Sequence, residues 1–181
     1  MHIIGLKFRR TFGCLVLSVC KLACNNTTMR GSDIKFGCMN VHSLQICKFS
    51  RLVRILKKSK TPAKVISLQE TWHGHNSRVI HDIESCGYRV IHKPRSNTQP
   101  QRYQRGGIAT VCLDTRLKFS PITLRTKPST MEYVVTIVQL RSHICRVLNV
   151  YRPGSRKATK IFFSKLENLI KRYSMRKKMC Y

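Results

Sequence analysis

The fold of this chain is decided at residues 65–72, VISLQETW, where a short apolar run ends in an acid. The run is too short for a helix and is typical of a strand buried inside a sheet. Glu70 follows this strand directly, so it is expected at the rim of the sheet, where a ligand can reach it. Asp and Glu together number only 7 among 181 residues. A carboxylate at this strand end is therefore a candidate functional group.

Three further apolar runs carry a polar residue at one end. Asn40 ends residues 36–40, FGCMN, and Tyr151 ends residues 147–151, VLNVY, just before Arg152. Arg105 opens residues 105–111, RGGIATV. Neighbouring strand ends meet at one edge of a sheet, so Asn40 and Glu70 are predicted to share a cleft.

The periodicity of apolar residues predicts strands that alternate with helices. The predicted strands are residues 34–41, 65–68, 88–92, 107–113, 132–140 and 144–151, and the predicted helices are residues 48–58, 77–85 and 158–173. A strand, a helix and a second strand in succession favour a crossover that covers one face of a sheet. The pattern therefore predicts the α/β class.

In their order and spacing, the pieces around Asn40, Glu70, Arg105 and Tyr151 resemble the endonuclease/exonuclease/phosphatase superfamily. More narrowly, the chain resembles the endonuclease domain of non-LTR (LINE-type) retrotransposons, over residues 34–173. The resemblance implies a partial four-layer α/β sandwich, with two packed mixed sheets flanked by helices and without the C-terminal strands. The expected domain occupies residues 34–174. Residues 1–33 would form an N-terminal extension, disordered or signal-like, and residues 175–181 a basic tail.

The resemblance also implies a function, which is Mg²⁺-dependent hydrolysis of DNA phosphodiester bonds. Glu70 and Asn40 would hold the Mg²⁺, or Mn²⁺ in its place, and with Tyr151 would form the catalytic set. Arg105 and Arg152 would contact nucleic acid. Magnesium prefers oxygen ligands and keeps several waters, so one glutamate can be its main protein ligand.

Each of these residues has a structural alternative. Glu70 would then be an ordinary strand-end acid paired with a basic side chain, and Asn40 would start a turn. Tyr151 would be an aromatic residue at the edge of the core. Arg105 would simply precede a turn. Trp72, the single tryptophan, is expected to pack rather than to stack on a base.

The chain departs from the family after its last predicted helix. The family continues into a Gly-Asp-Phe-Asn strand and a Ser-Asp-His segment, whereas no acid follows Glu167 here and no Asp-His pair follows Tyr151. A general base contributes typically 10²–10⁴-fold in rate, so weak or no hydrolysis is expected. The absent strands are also expected to leave open sheet edges.

The charge balance favours a polyanionic partner. Lys and Arg number 35 against 7 acids, which gives a net charge of +28. Such a field attracts DNA, although attraction to phosphate reads no base sequence. The expected partner is DNA, with no membrane and no obligate protein partner. A non-catalytic basic nucleic-acid-binding protein is therefore the main alternative to a nuclease.

Cysteine usage and the N-terminus bear on the cellular compartment. None of the 9 cysteines forms a Cys-x-x-Cys pair, so zinc has no spacing support. Cys38, Cys112 and Cys145 fall in apolar runs and are predicted to be reduced core thiols. Residues 1–24 imitate a secretory signal, but Lys21 interrupts the apolar stretch. A nuclear or cytoplasmic location is expected, and a secreted basic protein with disulfides is the less favoured alternative.

Overall fold

The computed structural model describes residues 3–4, 9–11, 14–23, 34–60, 62–74, 76–94, 106–122, 131–140, 143–152 and 159–174, with the first three segments described by backbone alone. Two sheets and three helices make up the described chain. The strands are β1 Ile3–Ile4, β2 Arg9–Thr11, β3 Cys14–Ala23, β4 Phe36–Asn40, β5 Val65–Gln69, β6 Arg89–Lys93, β7 Ile108–Cys112, β8 Lys118–Pro121, β9 Glu132–Leu140 and β10 His143–Tyr151. The helices are α1 Ile46–Lys57, α2 Arg78–Ser85 and α3 Lys160–Ser174. This mixed composition confirms the α/β class.

The smaller sheet has the strand order β4-β5-β7-β6. Strands β4 and β5 are parallel, as the crossover through α1 requires, and the other pairs are antiparallel. The apolar stripes of α1 and α2 cover one face, because residues three and four apart lie on the same side of a helix. The buried cluster of this face contains Phe49 and Val53 of α1, Ile80 and Ile83 of α2, and Ile66, Leu68, Ala109 and Val111 of the sheet.

The larger sheet has the order β1-β3-β10-β9-β8, with β2 also paired to β3. Helix α3 packs on its outer face, where Phe162, Leu166 and Leu169 join the side chains of β9 and β10 that point outward. Those strand residues are Tyr133, Val135, Leu148 and Val150. None of the described helices is long and apolar enough to span a bilayer.

The inner faces of the two sheets share a buried apolar cluster. Val65 and Cys112 of the smaller sheet pack there with Val138 and Val147 of the larger one. At about 25 cal/mol per Å² of apolar surface removed from water, this burial is the main force that holds the two sheets together. The packed sheets bring the end of β5 close to the end of β10, and the candidate site forms there.

A buried amide pair lies among these apolar contacts. Asn149 on β10 is fully buried, and its Nδ2 donates to the carbonyl oxygens of Ala109 (3.0 Å) and Leu68 (3.3 Å). Its Oδ1 accepts a hydrogen bond from Nε2 of Gln69 at 3.1 Å. Polar groups out of contact with water must find partners inside the protein, so this pair fixes how the sheets register against each other.

The expectation that the first strand begins near residue 34 is wrong for the described backbone. Strand β3 lies antiparallel to β10 over seven residue pairs, from Ile144 opposite Ala23 to Val150 opposite Leu17. Strand β10 therefore has a neighbour on both sides, β3 and β9, instead of an open edge. The cause is the β-forming composition of the ten-residue segment CLVLSVCKLA, which can satisfy the exposed hydrogen-bonding groups of β10. The short strand β8 was also not predicted.

The cysteine prediction holds for one residue of three. Cys112 is a buried free thiol, as predicted. Cys38 is also a free thiol but is exposed, because β4 is an edge strand. Cys145 is disulfide-bonded rather than reduced. An apolar run predicts that a cysteine is buried, and Cys145 is 1% exposed, but burial alone does not decide whether a thiol is reduced.

A charge cluster follows β7 and gives the first testable prediction. The Arg116 guanidinium donates to the Asp114 carboxylate at 2.8 and 2.9 Å and lowers the pKa of Asp114 from 3.8 to about 2. A lowered folded-state pKa means that the carboxylate stabilises the fold above pH 3.8 and that this is lost as pH falls towards 2. Asp114→Asn should lower the free energy of unfolding near neutral pH by about 1 kcal/mol, since the exposed partner is screened by solvent. Urea unfolding at neutral and acidic pH measures this, and an equal deficit at both would contradict it.

Candidate active site

Two loops meet at the edge of the smaller sheet, one after β4 and one after β5. They are tied by backbone hydrogen bonds from Ser43 N to Glu70 O and from Leu44 N to Thr71 O, both 2.8 Å long. Parallel strands deliver their C-terminal ends to the same edge, which is why residues far apart in sequence meet here. The two loops form one rim, which presents polar side chains beside the larger sheet.

The backbone of this rim is strained at four residues other than glycine. Positive φ angles occur at His42 (40°), Ser43 (79°), Glu70 (52°) and Trp72 (51°). Such conformations cost of order 1–3 kcal/mol each and cluster at functional sites. At Glu70 the left-handed turn has a direct consequence. Gln69 faces the inner side of the sheet, so regular alternation would send Glu70 to the helix side, whereas the turn directs its carboxylate to the larger sheet.

The Glu70 carboxylate accepts hydrogen bonds from two other elements. The Tyr151 hydroxyl donates to Oε1 at 2.8 Å, and His42 Nδ1 lies 2.6 Å from Oε2. The Glu70 side chain is 14% exposed and that of His42 is 63% exposed. Donation from Nδ1 leaves the Nε2 lone pair of a neutral imidazole available as a base. Glu70, His42 and Tyr151 thus form a carboxylate–histidine–tyrosine cluster, called the Glu70 cluster below.

Asn40 supports this cluster rather than joining it directly. Its Oδ1 accepts a hydrogen bond from the backbone N–H of His42 at 3.2 Å, which is the turn geometry weighed as the structural alternative. It pairs in register with Gln69, so it lies on the strand next to Glu70 at the same edge. Among the described residues its side chain forms no hydrogen bond to the Glu70 carboxylate. Asn40 therefore fixes the position of His42.

The glycines before β7 bring a second carboxylate to the rim. Gly106 O accepts from Trp72 N at 2.8 Å, and Gly107 N donates to Glu132 Oε2 at 2.6 Å. The φ angles of Gly106 (117°) and Gly107 (78°) are positive, which other residues rarely adopt. Glu132 is the register partner of Tyr151. Sequence reasoning missed Glu132, although its place at the start of a predicted strand was a usable signal.

Of the two predicted nucleic-acid contacts, Arg105 lies outside the described residues, and Arg152 packs away from the Glu70 cluster. The Arg152 guanidinium carbon lies 5.6 Å from the ring centroid of Phe162 on α3. Residues alternate sides along β10, so Tyr151 faces the other sheet while Arg152 faces α3. The geometry gives Arg152 a packing contact on that side, and its role in binding phosphate stays a prediction.

Two other aromatic residues lie near the rim. His73 is buried, with 7% of its surface exposed. Its Nδ1 lies 2.6 Å from Thr71 Oγ1 and its Nε2 lies 2.8 Å from His92 Nδ1. Trp72 is 37% exposed and its ring meets that of His42 edge-on, with centroids 6.2 Å apart. The Trp72 ring is therefore close to the Glu70 cluster, because His42 contacts both Trp72 and Glu70.

The donor set fits a hard cation better than a soft one. Glu70, Asn40 and Glu132 offer oxygen atoms at one edge, and Mg²⁺ commonly binds one or two carboxylates and keeps several waters. No group of three or more His, Cys, Asp or Glu side chains in the described segments could hold a metal ion. Glu70 already accepts two protein hydrogen bonds, so a cation would have to share its oxygens. Each carboxylate oxygen has a second lone pair for this.

Comparison of the chain with protein-family models, with curated proteins and with solved structures finds no match.

Proposed function

We propose that this chain carries the metal-binding part of a Mg²⁺-dependent endonuclease of the retrotransposon type, which acts on DNA phosphodiester bonds. The single observation that carries the proposal is the Glu70 cluster. A carboxylate from one sheet meets a buried tyrosine from the other at the rim, with an exposed histidine beside them. This arrangement combines a cation ligand, a hydroxyl donor and a base in one place.

Each residue of the cluster has a distinct role in the proposal. Glu70 would hold Mg²⁺, which would supply charge neutralisation at the scissile phosphate. His42 Nε2 takes a proton from the attacking water, and Nδ1 is held by the carboxylate. Tyr151 orients Glu70 and reaches the phosphate, while Asn40 fixes the loop. Slow hydrolysis is expected, because Mg²⁺ would have to share the Glu70 oxygens with His42 and Tyr151.

The arrangement of layers supports the same assignment. Helices α1 and α2 cover the outer face of the smaller sheet, α3 covers that of the larger one, and the inner faces share apolar contacts. We take this packing as a partial four-layer α/β sandwich. In such folds, ligands bind at strand ends rather than on sheet faces.

Cation binding at Glu70 can be measured through Trp72, the only tryptophan in the chain. Its ring lies beside His42, which contacts Glu70, so a paramagnetic Mn²⁺ at the carboxylate should quench its fluorescence. We expect saturable quenching that excess Mg²⁺ reverses and that Glu70→Gln abolishes. Glu167→Gln is the matched control, because it removes an exposed carboxylate on α3. Quenching that persists in Glu70→Gln would refute the metal assignment.

The alternative is a nucleic-acid-binding protein without catalysis, and the net charge of +28 specifically favours it. Under this alternative, DNA binding weakens steeply with salt and is unchanged in Glu70→Gln. Plasmid nicking in the presence of Mg²⁺ separates the two functions. Binding without any nicking by the unmodified chain would select the alternative.

A further inference from the structure

A cavity of about 440 Å³ lies at the C-terminal end of α1. Its apolar lining is provided by Phe49 and Val53 of α1 and by Tyr88, which precedes β6. Its rim carries three cations from the last turn of the same helix and the residue after it, namely Arg54, Lys57 and Lys58. Ligand sites commonly enclose ≈300–1,000 Å³ and combine apolar walls with a few polar groups. This cavity is called the α1 pocket.

The α1 pocket is remote from the Glu70 cluster. Strand register places Gln69 at the edge that carries the cluster and puts Val65, Cys112 and Arg89 in line at the opposite edge. Tyr88 is the neighbour of Arg89 and belongs to that opposite edge. Helix α1 has 12 residues, which span about 18 Å at 1.5 Å per residue. A ligand in the pocket would therefore not touch the candidate active site.

The electrostatics of the α1 pocket favour an anion. No acid lines it, and α1 itself contains none. Over the described part of the chain, the side chains of Arg54, Lys57 and Lys58 enter no hydrogen bond or ion pair. Cations at a helix C-terminus also interact favourably with the helix dipole, but that interaction does not depend on a cavity between the cations. Three uncompensated cations beside an apolar hollow attract a phosphate that brings an apolar group with it.

The aromatic wall narrows the class of ligand. Tyr88 is half-buried and packs edge-on against Phe49, with ring centroids 5.8 Å apart, so its ring is held in place. A fixed ring offers a planar surface to a base, and stacking on such rings contributes ≈1–3 kcal/mol per base. Phosphate contacts from the rim would place the sugar–phosphate chain outside and the base inside.

We propose that the α1 pocket binds a nucleotide unit of single-stranded nucleic acid. The base lies against Tyr88, and Arg54, Lys57 and Lys58 contact its flanking phosphates. The pocket thereby gives the chain a second grip on a nucleic-acid strand, independent of chemistry at the Glu70 cluster.

Cys86, an exposed free thiol that lines the α1 pocket, provides a direct readout. A short oligodeoxythymidylate should slow its alkylation, measured by peptide mass spectrometry. Cys38 is an internal control, since this exposed thiol lies on the opposite face of the smaller sheet, beside Gln69. Glu70→Gln should leave the protection unchanged. Equal rates at Cys86 with and without oligonucleotide would overturn the proposal.

Charge-matched variants test the rim. Replacing Arg54, Lys57 and Lys58 by Gln should weaken binding of the oligonucleotide about tenfold or more at low salt. The negative slope of log K against log salt should become shallower by about 2, at ≈0.7 per lost phosphate contact. The control replaces three exposed cations of α3 by Gln: Lys160, Lys165 and Arg172. An equal loss of affinity in both variants would mean diffuse attraction by net charge and would overturn the proposal of a specific site.

The base is tested separately from the phosphates. Tyr88→Leu retains apolar volume and removes the ring, so it should weaken binding of the oligonucleotide and leave that of inorganic tripolyphosphate unchanged. Tripolyphosphate alone should protect Cys86 less well than oligodeoxythymidylate at equal charge. Equal protection by the two probes would reject recognition of a base.

Discussion

Glu70→Gln is expected to lower Mg²⁺-dependent nicking of supercoiled plasmid DNA by roughly 10²-fold or more. The substitution retains the size of the side chain and its hydrogen bond from Tyr151, but it removes the charge that is proposed to hold the cation. Stabilisation of charge by a metal ion contributes several kcal/mol to phosphoryl chemistry, and each 1.36 kcal/mol is tenfold in rate. Conversion of supercoiled to open-circular DNA, followed over a range of protein concentrations, measures the effect.

The same assay separates the members of the Glu70 cluster. His42→Gln should reduce the rate by roughly 10²-fold, because it deletes the proposed base. Its matched control is His81→Gln, which changes an exposed histidine on α2. Tyr151→Phe should have a smaller effect, since the Glu70 charge remains. Nicking that survives Glu70→Gln at the original rate would identify a contaminating nuclease or another site.

Asn149→Leu is expected to lower the free energy of unfolding by roughly 2–4 kcal/mol. The amide is fully buried, and it supplies donors to Ala109 O and Leu68 O and an acceptor to Gln69 Nε2. A leucine of similar size fills the space but leaves those buried groups without their partner, at a cost of ≈1–3 kcal/mol each. Stabilities of 5–15 kcal/mol are typical, so the loss is a large fraction of the total. Urea unfolding measures the change.

A double-mutant cycle tests whether the two amides act as a pair. Gln69→Leu combined with Asn149→Leu removes donor and acceptor together, so the double variant should be less destabilised than the sum of the single ones. Asn168→Leu, at an exposed position of α3, is the control and should change stability little. Simple additivity in the cycle would contradict the role assigned to the pair in aligning the sheets.

The local pattern of apolar residues was sufficient to predict most of the helices and strands. The helix predicted at residues 48–58 is α1 Ile46–Lys57, and the strand predicted at residues 132–140 is β9 Glu132–Leu140. These elements show clear apolar periodicity, which a short window of sequence contains. Strand β3 was missed, because its resemblance to a signal segment concealed its β-forming character. Strand β8 is only four residues long and half of it is polar, so no window reveals it.

Sequence alone determined the class of the fold and the place of its candidate site, since a strand end is visible as an apolar run that stops at a polar residue. The Glu70 and Tyr151 positions follow from that rule. Tertiary structure alone decided what these residues touch. The left-handed turn at Glu70 and the contact with His42 depend on how two loops pack, and the roles of Glu132 and of the α1 pocket depend on partners far away in sequence. Periodicity reports which face of an element is apolar, whereas the contacts of a side chain at a rim depend on distances that only the packed sheets fix.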